Sequence, residues 1–385
     1  ENVSFFDCEQ KGEETMKTLI LTCNTGEGHN SCATAIKEYF ESNREECYIK
    51  DGLGFISLKV SHMISWGHTY IYRHLPRLFE HGYGYSERHP DLFRYGSIVY
   101  KFIGQGAEKL FACISDGDYD TVICTHVFAA LMLTQMLEQH PMKIKTAFVS
   151  TDYTCSPCTQ DSNLDLYFIP GEEFTNDFLC DTITRNKLVP IGIPVRQMFY
   201  QRSGKRDAKI RVGVDPNHRH LIMMCGSMGC GSMTNLLHDL ELQLPEKWEI
   251  TVICGRNQKL EKKLSLRYQV HKNIHIKGFV KDMGEMMDSA DLYLTKPGGL
   301  SVTEAKTKEL PMVFVDAVAG CEEYNLRYFV SKGGAVTGST NVELTKRCLA
   351  LMGNEQELER MHQDLGALNN GNAAEIIYNR IREMN

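Results

Sequence analysis

Thr18-Leu-Ile-Leu-Thr-Cys-Asn-Thr-Gly-Glu-Gly-His29 is a short apolar run closed by glycines, and a helical pattern through Ala35, Ile36 and Phe40 follows it. It reads as strand, glycine loop, helix. The same order recurs at His220-Leu-Ile-Met-Met-Cys225, where Gly226-Ser-Met-Gly-Cys-Gly-Ser232 leads into a helix through Leu236 and Leu237. Further strands are predicted at 47–50, 121–124, 146–150 and 166–169 in the first half, and at 250–253, 274–276, 292–294 and 312–315 in the second. Strands alternating with helices imply parallel sheets covered on both faces. The fold class is therefore α/β, with two Rossmann-like parallel-sheet domains facing a central cleft. Ligands bind outside the carboxyl ends of such strands, so the cleft between the glycine loops is where chemistry is expected.

Val189-Pro-Ile-Gly-Ile-Pro194 and the polar Gln201-Arg-Ser-Gly-Lys-Arg206 punctuate the chain between the halves. This places the first domain at 16–200 and the second at 201–385, with a final helical pattern at 355–382 able to pack back across the first. Residues 1–15 are polar, lack an apolar core segment and read as a disordered extension rather than a signal peptide. The longest apolar stretch, 122–137, is interrupted by Thr125, His126 and Gln135 and is too short to span a bilayer. With 42 Lys and Arg against 49 Asp and Glu the formal net charge is −7, which argues against a dedicated nucleic-acid binder. Fourteen cysteines, several of them inside apolar runs such as Cys23, Cys124 and Cys254, fit buried thiols in a reducing compartment.

Thr295-Lys-Pro-Gly-Gly-Leu-Ser-Val-Thr-Glu-Ala305 is the most informative segment for function. Pro297, Gly298 and Gly299 end a strand, and a helix begins at once, which offers backbone N–H groups and a positive helix end to an anion such as a diphosphate. Glu304 falls in the first turns of that helix, where a carboxylate reaches both hydroxyls of a ribose or merely complements the dipole. Gly26-Glu-Gly-His29 resembles a partial dinucleotide fingerprint, with Asp51 at the end of the second strand, but Ser31 stands where the third glycine belongs. His29 is then either a proton acceptor at the cleft or a residue that hydrogen-bonds its own loop. Asp152 ends a strand at its carboxyl edge, where it can assist a base or cap a helix.

Asp116-Gly-Asp-Tyr-Asp120 has a metal-like spacing but precedes a strand, the wrong end for a ligand site, and reads as a turn. Cys155-Ser-Pro-Cys158 has redox or half-zinc spacing without a second pair. Between Lys59 and Lys101 six Lys or Arg and five His face three acids, interleaved with aromatic residues that include Trp66 and Tyr70. That stretch suits an anionic membrane interface, or contributes its periodic apolar positions to the core.

Gly26-Glu-Gly-His29, Thr151-Asp-Tyr153 and the 295–305 segment together resemble the diacylglycerol glucosyltransferases and monogalactosyldiacylglycerol synthases of glycosyltransferase family 28, over residue 16 to nearly the end of the chain. The resemblance implies a GT-B fold with the donor held mainly by the second domain. It implies that Ser227 and the backbone of Pro297, Gly298, Gly299 and Leu300 meet the diphosphate, with Gly28 opposite. Gly255, Arg256, Phe279 and Val280 would flank the uracil, Glu304 would bind ribose, and Glu322 and Asn325 would contact the sugar. Cys321 stands where the family usually has glutamine, which bears on the donor sugar. The implied reaction is an inverting transfer of a hexose, glucose favoured, from a UDP-sugar to diacylglycerol. His29 would be the base, aided by Asp152, and neither a metal nor another cofactor is expected. The implied partner surface is an anionic membrane on the cytoplasmic side, met through Trp66, Tyr70, Arg73 and Arg77. The alternatives are an N-acetylglucosaminyltransferase acting on a polyprenyl-linked peptidoglycan precursor and a UDP-sugar-binding sensor with little turnover.

Overall fold

Each half of the chain builds its own six-stranded parallel sheet. The computed structural model describes residues 15–384 apart from 25, 60, 65, 68–80, 83, 86, 87, 90, 92, 93, 225–231 and 316–319. In the first sheet β1 (Lys17–Thr22), β2 (Glu46–Asp51), β3 (Thr121–Cys124), β4 (Lys145–Val149), β5 (Leu166–Ile169) and β6 (Leu188–Pro190) lie in the order β2-β1-β3-β4-β5-β6. In the second, β7 (Arg219–Met224), β8 (Trp248–Ile253), β9 (Ile274–Lys277), β10 (Leu292–Thr295), β11 (Met312–Phe314) and β12 (Ala335–Thr337) follow the order β12-β11-β10-β7-β8-β9.

Strand β1 shows why the apolar runs become interior strands. Leu19, Ile20 and Leu21 are wholly buried because both faces of the sheet are covered, and Leu19 pairs with Tyr48 on one side and Val122 on the other. Strand order reverses between β1 and β3 and between β10 and β7, so each sheet opens a crevice at the carboxyl end of those strands. The predicted strands match to within two residues at either end, while β6 and β12 had not been predicted. Each has three residues, too few for a periodic signal, and β6 ends in Pro190, a residue an edge strand tolerates because one N–H is missing.

Helix α1 (Glu27–Ser42) follows β1, and α2 (Val127–Gln139) follows β3. The apolar stretch read at 122–137 is thus β3 plus a core helix whose residues 129–136 are all buried. No helix among the described residues is long and apolar enough to cross a membrane. In the second domain α3 (Gln258–Tyr268) joins β8 to β9, α4 (Gly299–Thr307) follows β10, and α5 (Cys321–Ser331) precedes β12.

The last helix, α6 (Ala373–Arg382), returns to the first domain and lies on α1, burying Ile377 and Ile381. Glu45 is nearly fully buried there, and a buried carboxylate is tolerable only when paired. Its oxygens accept the Tyr378 hydroxyl at 3.1 Å, the Arg382 guanidinium at 2.7 Å and the Met16 backbone N–H at 2.6 Å. Lys145 of β4 donates to the Ile381 carbonyl at 3.0 Å, answering an open acceptor at the end of α6.

Candidate functional site

Four loops meet where the carboxyl ends of the two sheets face each other. The turn after β10 approaches the first domain so closely that a Cβ at Gly299 would stand 1.9 Å from the Thr151 carbonyl oxygen, which only glycine permits. Asn325 of α5, fully buried, fastens the same place. Its Oδ1 accepts the Tyr153 N–H at 2.8 Å, and its Nδ2 donates to Asp152 Oδ1 at 2.8 Å and to the Pro297 carbonyl at 3.0 Å. The Tyr153 hydroxyl bonds to Thr303 at 3.0 Å, and its ring stacks on Tyr328 with centroids 4.7 Å apart. Nearer the other side of the cleft Arg256 pairs with Glu27 at 2.6 Å, and Gly28 lies against Leu300.

His29 sits in the first turn of α1, and a distant strand end holds its ring. Nδ1 is 2.8 Å from the Thr125 carbonyl oxygen, so Nδ1 carries the proton and donates it, with the Thr151 hydroxyl 3.1 Å away. This tautomer leaves the lone pair on Nε2. The His126 ring stands edge-on to it at 4.6 Å.

Asp152 is half-buried and accepts the Gly299 N–H, so it caps the start of α4 from the other domain. Burial pushes its carboxyl up to about 6, against the pull of the Asn325 amide; Glu322 raises it further, and the Gly299 N–H and Thr151 oppose the rise. The helix end predicted to receive a diphosphate does attract an anion, but in this closed arrangement the anion is Asp152. Asn325, expected to contact a sugar, has one amide hydrogen and one oxygen lone pair engaged across the cleft, at Asp152 and Tyr153, and its other amide hydrogen on Pro297 of its own domain.

Glu304 points from the second turn of α4 into a site where burial raises its carboxyl to about 8, with only Arg196 opposing. It is half-buried and makes no hydrogen bond or ion pair to any described residue. Lys296 and Glu322 face each other at 3.3 Å beside the same turn, and the Cys321 sulfur lies 3.7 Å from the Ser156 hydroxyl across the cleft. Gly255 turns with φ 57°, and it presents Arg256 with its guanidinium 5.9 Å from the Phe279 ring, next to Val280. Asp51 is occupied by Asn24, the Leu53 N–H and Ser61, so it is not presented as a ribose acid.

Ser227, Tyr70, Arg73 and Arg77 lie outside the described residues, while Trp66 is exposed. Among the described residues no group of three or more His, Cys, Asp or Glu is arranged to hold a metal. Asp120 accepts the Lys17 N–H at 2.9 Å at the far end of the sheet, as a turn residue would. Cys155 and Cys158 are free thiols, and burial raises Cys155 to about 12. Sequence reasoning missed Thr125, Thr151 and Lys296. The first contributes only a carbonyl, for which no side-chain signal exists; Thr151 and Lys296 stand within the quoted segments, where nothing in their spacing marks a role.

Residues 29–195 match the family model of monogalactosyldiacylglycerol (MGDG) synthase, and residues 220–376 match that of the glycosyltransferase family 28 C-terminal domain. The processive diacylglycerol beta-glucosyltransferase of Staphylococcus saprophyticus is 26% identical over 358 residues, covering 92% of this chain and 89% of that protein. The enzyme of the same name from Bacillus subtilis is 25% identical over 370 residues, covering 94% and 93%. Among solved structures, MurG of Acinetobacter baumannii has a TM-score of 0.64 at 15% identity, covering 96% of this chain and 100% of that one. The spinosyn rhamnosyltransferase SpnG complexed with thymidine diphosphate has a TM-score of 0.61 at 10% identity, covering 95% and 100%. These likenesses show the fold, which is GT-B.

Gly299→Ala is expected to hold the two domains apart, because its methyl group would overlap the Thr151 carbonyl. Small-angle scattering should report a larger radius of gyration than for the wild-type chain; equal radii would contradict the close approach.

Proposed function

The chain belongs to glycosyltransferase family 28, and from that premise we propose that it moves a hexose, glucose favoured, from a UDP-sugar to the free hydroxyl of diacylglycerol, inverting the anomeric carbon. The observation that carries this reading is the pairing of two groups across one cleft: the half-buried Glu304 on the donor wall, without a hydrogen-bond partner among the described residues, and the tautomer-fixed His29 on the other.

The ribose hydroxyls of the donor supply the hydrogen bonds that Glu304 lacks. Gly255, Arg256, Phe279 and Val280 line the place for the base. The N-terminus of α4 takes the diphosphate once Asp152 yields Gly299, with Lys296 alongside as a counter-charge. Glu322 and the remaining lone pair of Asn325 read the sugar. His29 Nε2 removes the acceptor proton as the acceptor oxygen bonds to the anomeric carbon; the bond from that carbon to the diphosphate oxygen breaks, and UDP leaves with the electron pair. The Thr125 carbonyl holds the ring in orientation and stabilises the imidazolium that forms. Asp152, released from Gly299, orients the acceptor. A helix end and a lysine meet the leaving charge, so no metal is required.

The acceptor resides in a membrane, and the segment after β2 suits one. Leu58, Lys59, His62, Met63 and Trp66 are all exposed, recurring at three- and four-residue intervals, and Trp66 is 68% exposed. We place the protein as peripheral on the cytoplasmic face of an anionic membrane.

In an assay of labelled sugar transfer from UDP-glucose to micellar diacylglycerol, His29→Ala is expected to lose roughly 10²–10⁴-fold in turnover. UDP binding should persist, and excess chelator should leave wild-type turnover undiminished. Near-normal turnover by His29→Ala would sink the base assignment. Glu304, protonated below about 8 in the free protein, must ionise to accept two ribose hydroxyls. UDP affinity, read by calorimetry, should therefore rise as pH rises through 8 and weaken as it falls, and Glu304→Gln should bind more weakly with that dependence removed. A wild-type affinity that is flat across this range would count against the ribose role.

A further inference from the structure

Beyond Arg256, Phe279 and Val280, which line the place for the base, the second domain carries a basic face that the transfer reaction does not use. From Arg256 to Lys281 the sequence holds eight Lys and Arg against one acid, Glu261, in a chain of net charge −7. Helix α3 buries Leu264 and Tyr268 and turns Lys259, Lys262, Lys263, Leu266 and Arg267 outward, a spacing that places them on one face. Val270 extends that row just past the helix. Leu266 is 66% exposed and Val270 78%. Glu261 points the other way, with its carboxylate against Gly278, where a Cβ would meet it at 2.6 Å. That contact also sets the exposed Lys277, Phe279 and Lys281 beside the helix.

Several cations elsewhere on the surface are answered by carboxylates, as Arg360 is by Glu357 and Asp364, Arg202 by Glu309 and Arg347 by Glu343. Lys259, Lys262, Lys263, Lys277 and Lys281 have no carboxylate at ion-pair distance among the described residues. Clustered positive charges with exposed Leu and Val between them repel one another in water. They complement a surface that offers anionic headgroups outside and hydrocarbon beneath. A nucleic acid would match the charge but gives Leu266 and Val270 nothing to enter.

The cleft contacts fix which flank this face occupies. Glu27 after β1 meets Arg256 after β8, and Thr151 and Asp152 after β4 meet the turn after β10. Outward from β1 the next strand is β2, and outward from β8 the next is β9. Strands β2 and β9 therefore border the same flank of the cleft. Leu58, Met63 and Trp66 follow β2, and the basic face surrounds β9.

We propose that α3, with Val270, Lys277 and Lys281 beside it, forms a second membrane contact, carried by the donor domain, that docks on an anionic bilayer beside the contact of the first domain. The inference rests on the reading that the acceptor is a membrane lipid.

The test uses the full chain and vesicles of phosphatidylcholine with or without about one third phosphatidylglycerol, the anionic lipid supplying the attraction of roughly one favourable contact per surface cation. The variant Lys259→Gln, Lys262→Gln, Lys263→Gln, Arg267→Gln is expected to partition about tenfold or more weakly onto the anionic vesicles while keeping wild-type transfer to diacylglycerol in detergent micelles. A Val270→Trp variant should show blue-shifted emission on anionic vesicles relative to the wild-type spectrum. Unchanged partition of the quadruple variant overturns the proposal, as does unshifted emission from vesicle-bound Val270→Trp. So does a quadruple variant that keeps vesicle binding but loses wild-type binding to a duplex oligonucleotide, which would reassign the face to nucleic acid. Absence of micellar transfer by the wild-type chain would instead overturn the acceptor reading, leaving vesicle partition to decide the contact.

Discussion

The approach of Gly299 to the Thr151 carbonyl, locked by the Asn325 amide, is the constraint on which the arrangement depends. Two sheets that fold alike would otherwise face each other at no particular register. With Asn325 joined to Asp152, Tyr153 and Pro297, the end of β4 is held opposite the end of β10. Each bond matters because the amide is fully buried, and a buried polar group left without its partner costs about 1–3 kcal/mol. The aromatic stack of Tyr153 on Tyr328 and the ion pair of Glu173 with Lys332 at 3.3 Å widen this single point into a seam. From the seam follow the placement of His29 across from α4 and the alignment of the outer flanks.

The seam also explains why an acid occupies an anion site. A carboxylate in this enclosed place is penalised by burial, and the N–H of Gly299 and the Asn325 amide offset part of that penalty. The helix end that favours a diphosphate favours Asp152 for the same reason. Glu304 shows the opposite case, a half-buried acid without a hydrogen-bond partner among the described residues.

Much of this was legible in the sequence, for identifiable reasons. Leu19 to Leu21 and Leu292 to Leu294 are apolar on both faces, so their strands announce themselves. Pro297-Gly298-Gly299 marked the end of β10 and the start of α4, and Glu304 falls in the early turns of that helix because helix spacing is regular. Less was legible where function depends on backbone or on distance along the chain. His29 stood out as a residue, but nothing in the sequence showed that the Thr125 carbonyl, 96 positions away, would fix its proton. Asn325 and Asp152 were both singled out without any sign that they bind each other across the cleft. Whole-chain composition was misleading in one respect: a net charge of −7 conceals the basic face of 256–281.

The most direct measurement is mass spectrometry of the lipids formed when the purified chain is incubated with diacylglycerol in mixed micelles and, separately, UDP-glucose, UDP-galactose or UDP-N-acetylglucosamine. A hexosyl-diacylglycerol formed with UDP-glucose in preference to the other two is the expected product. Tight UDP-sugar binding with no glycolipid from any donor would contradict the assignment.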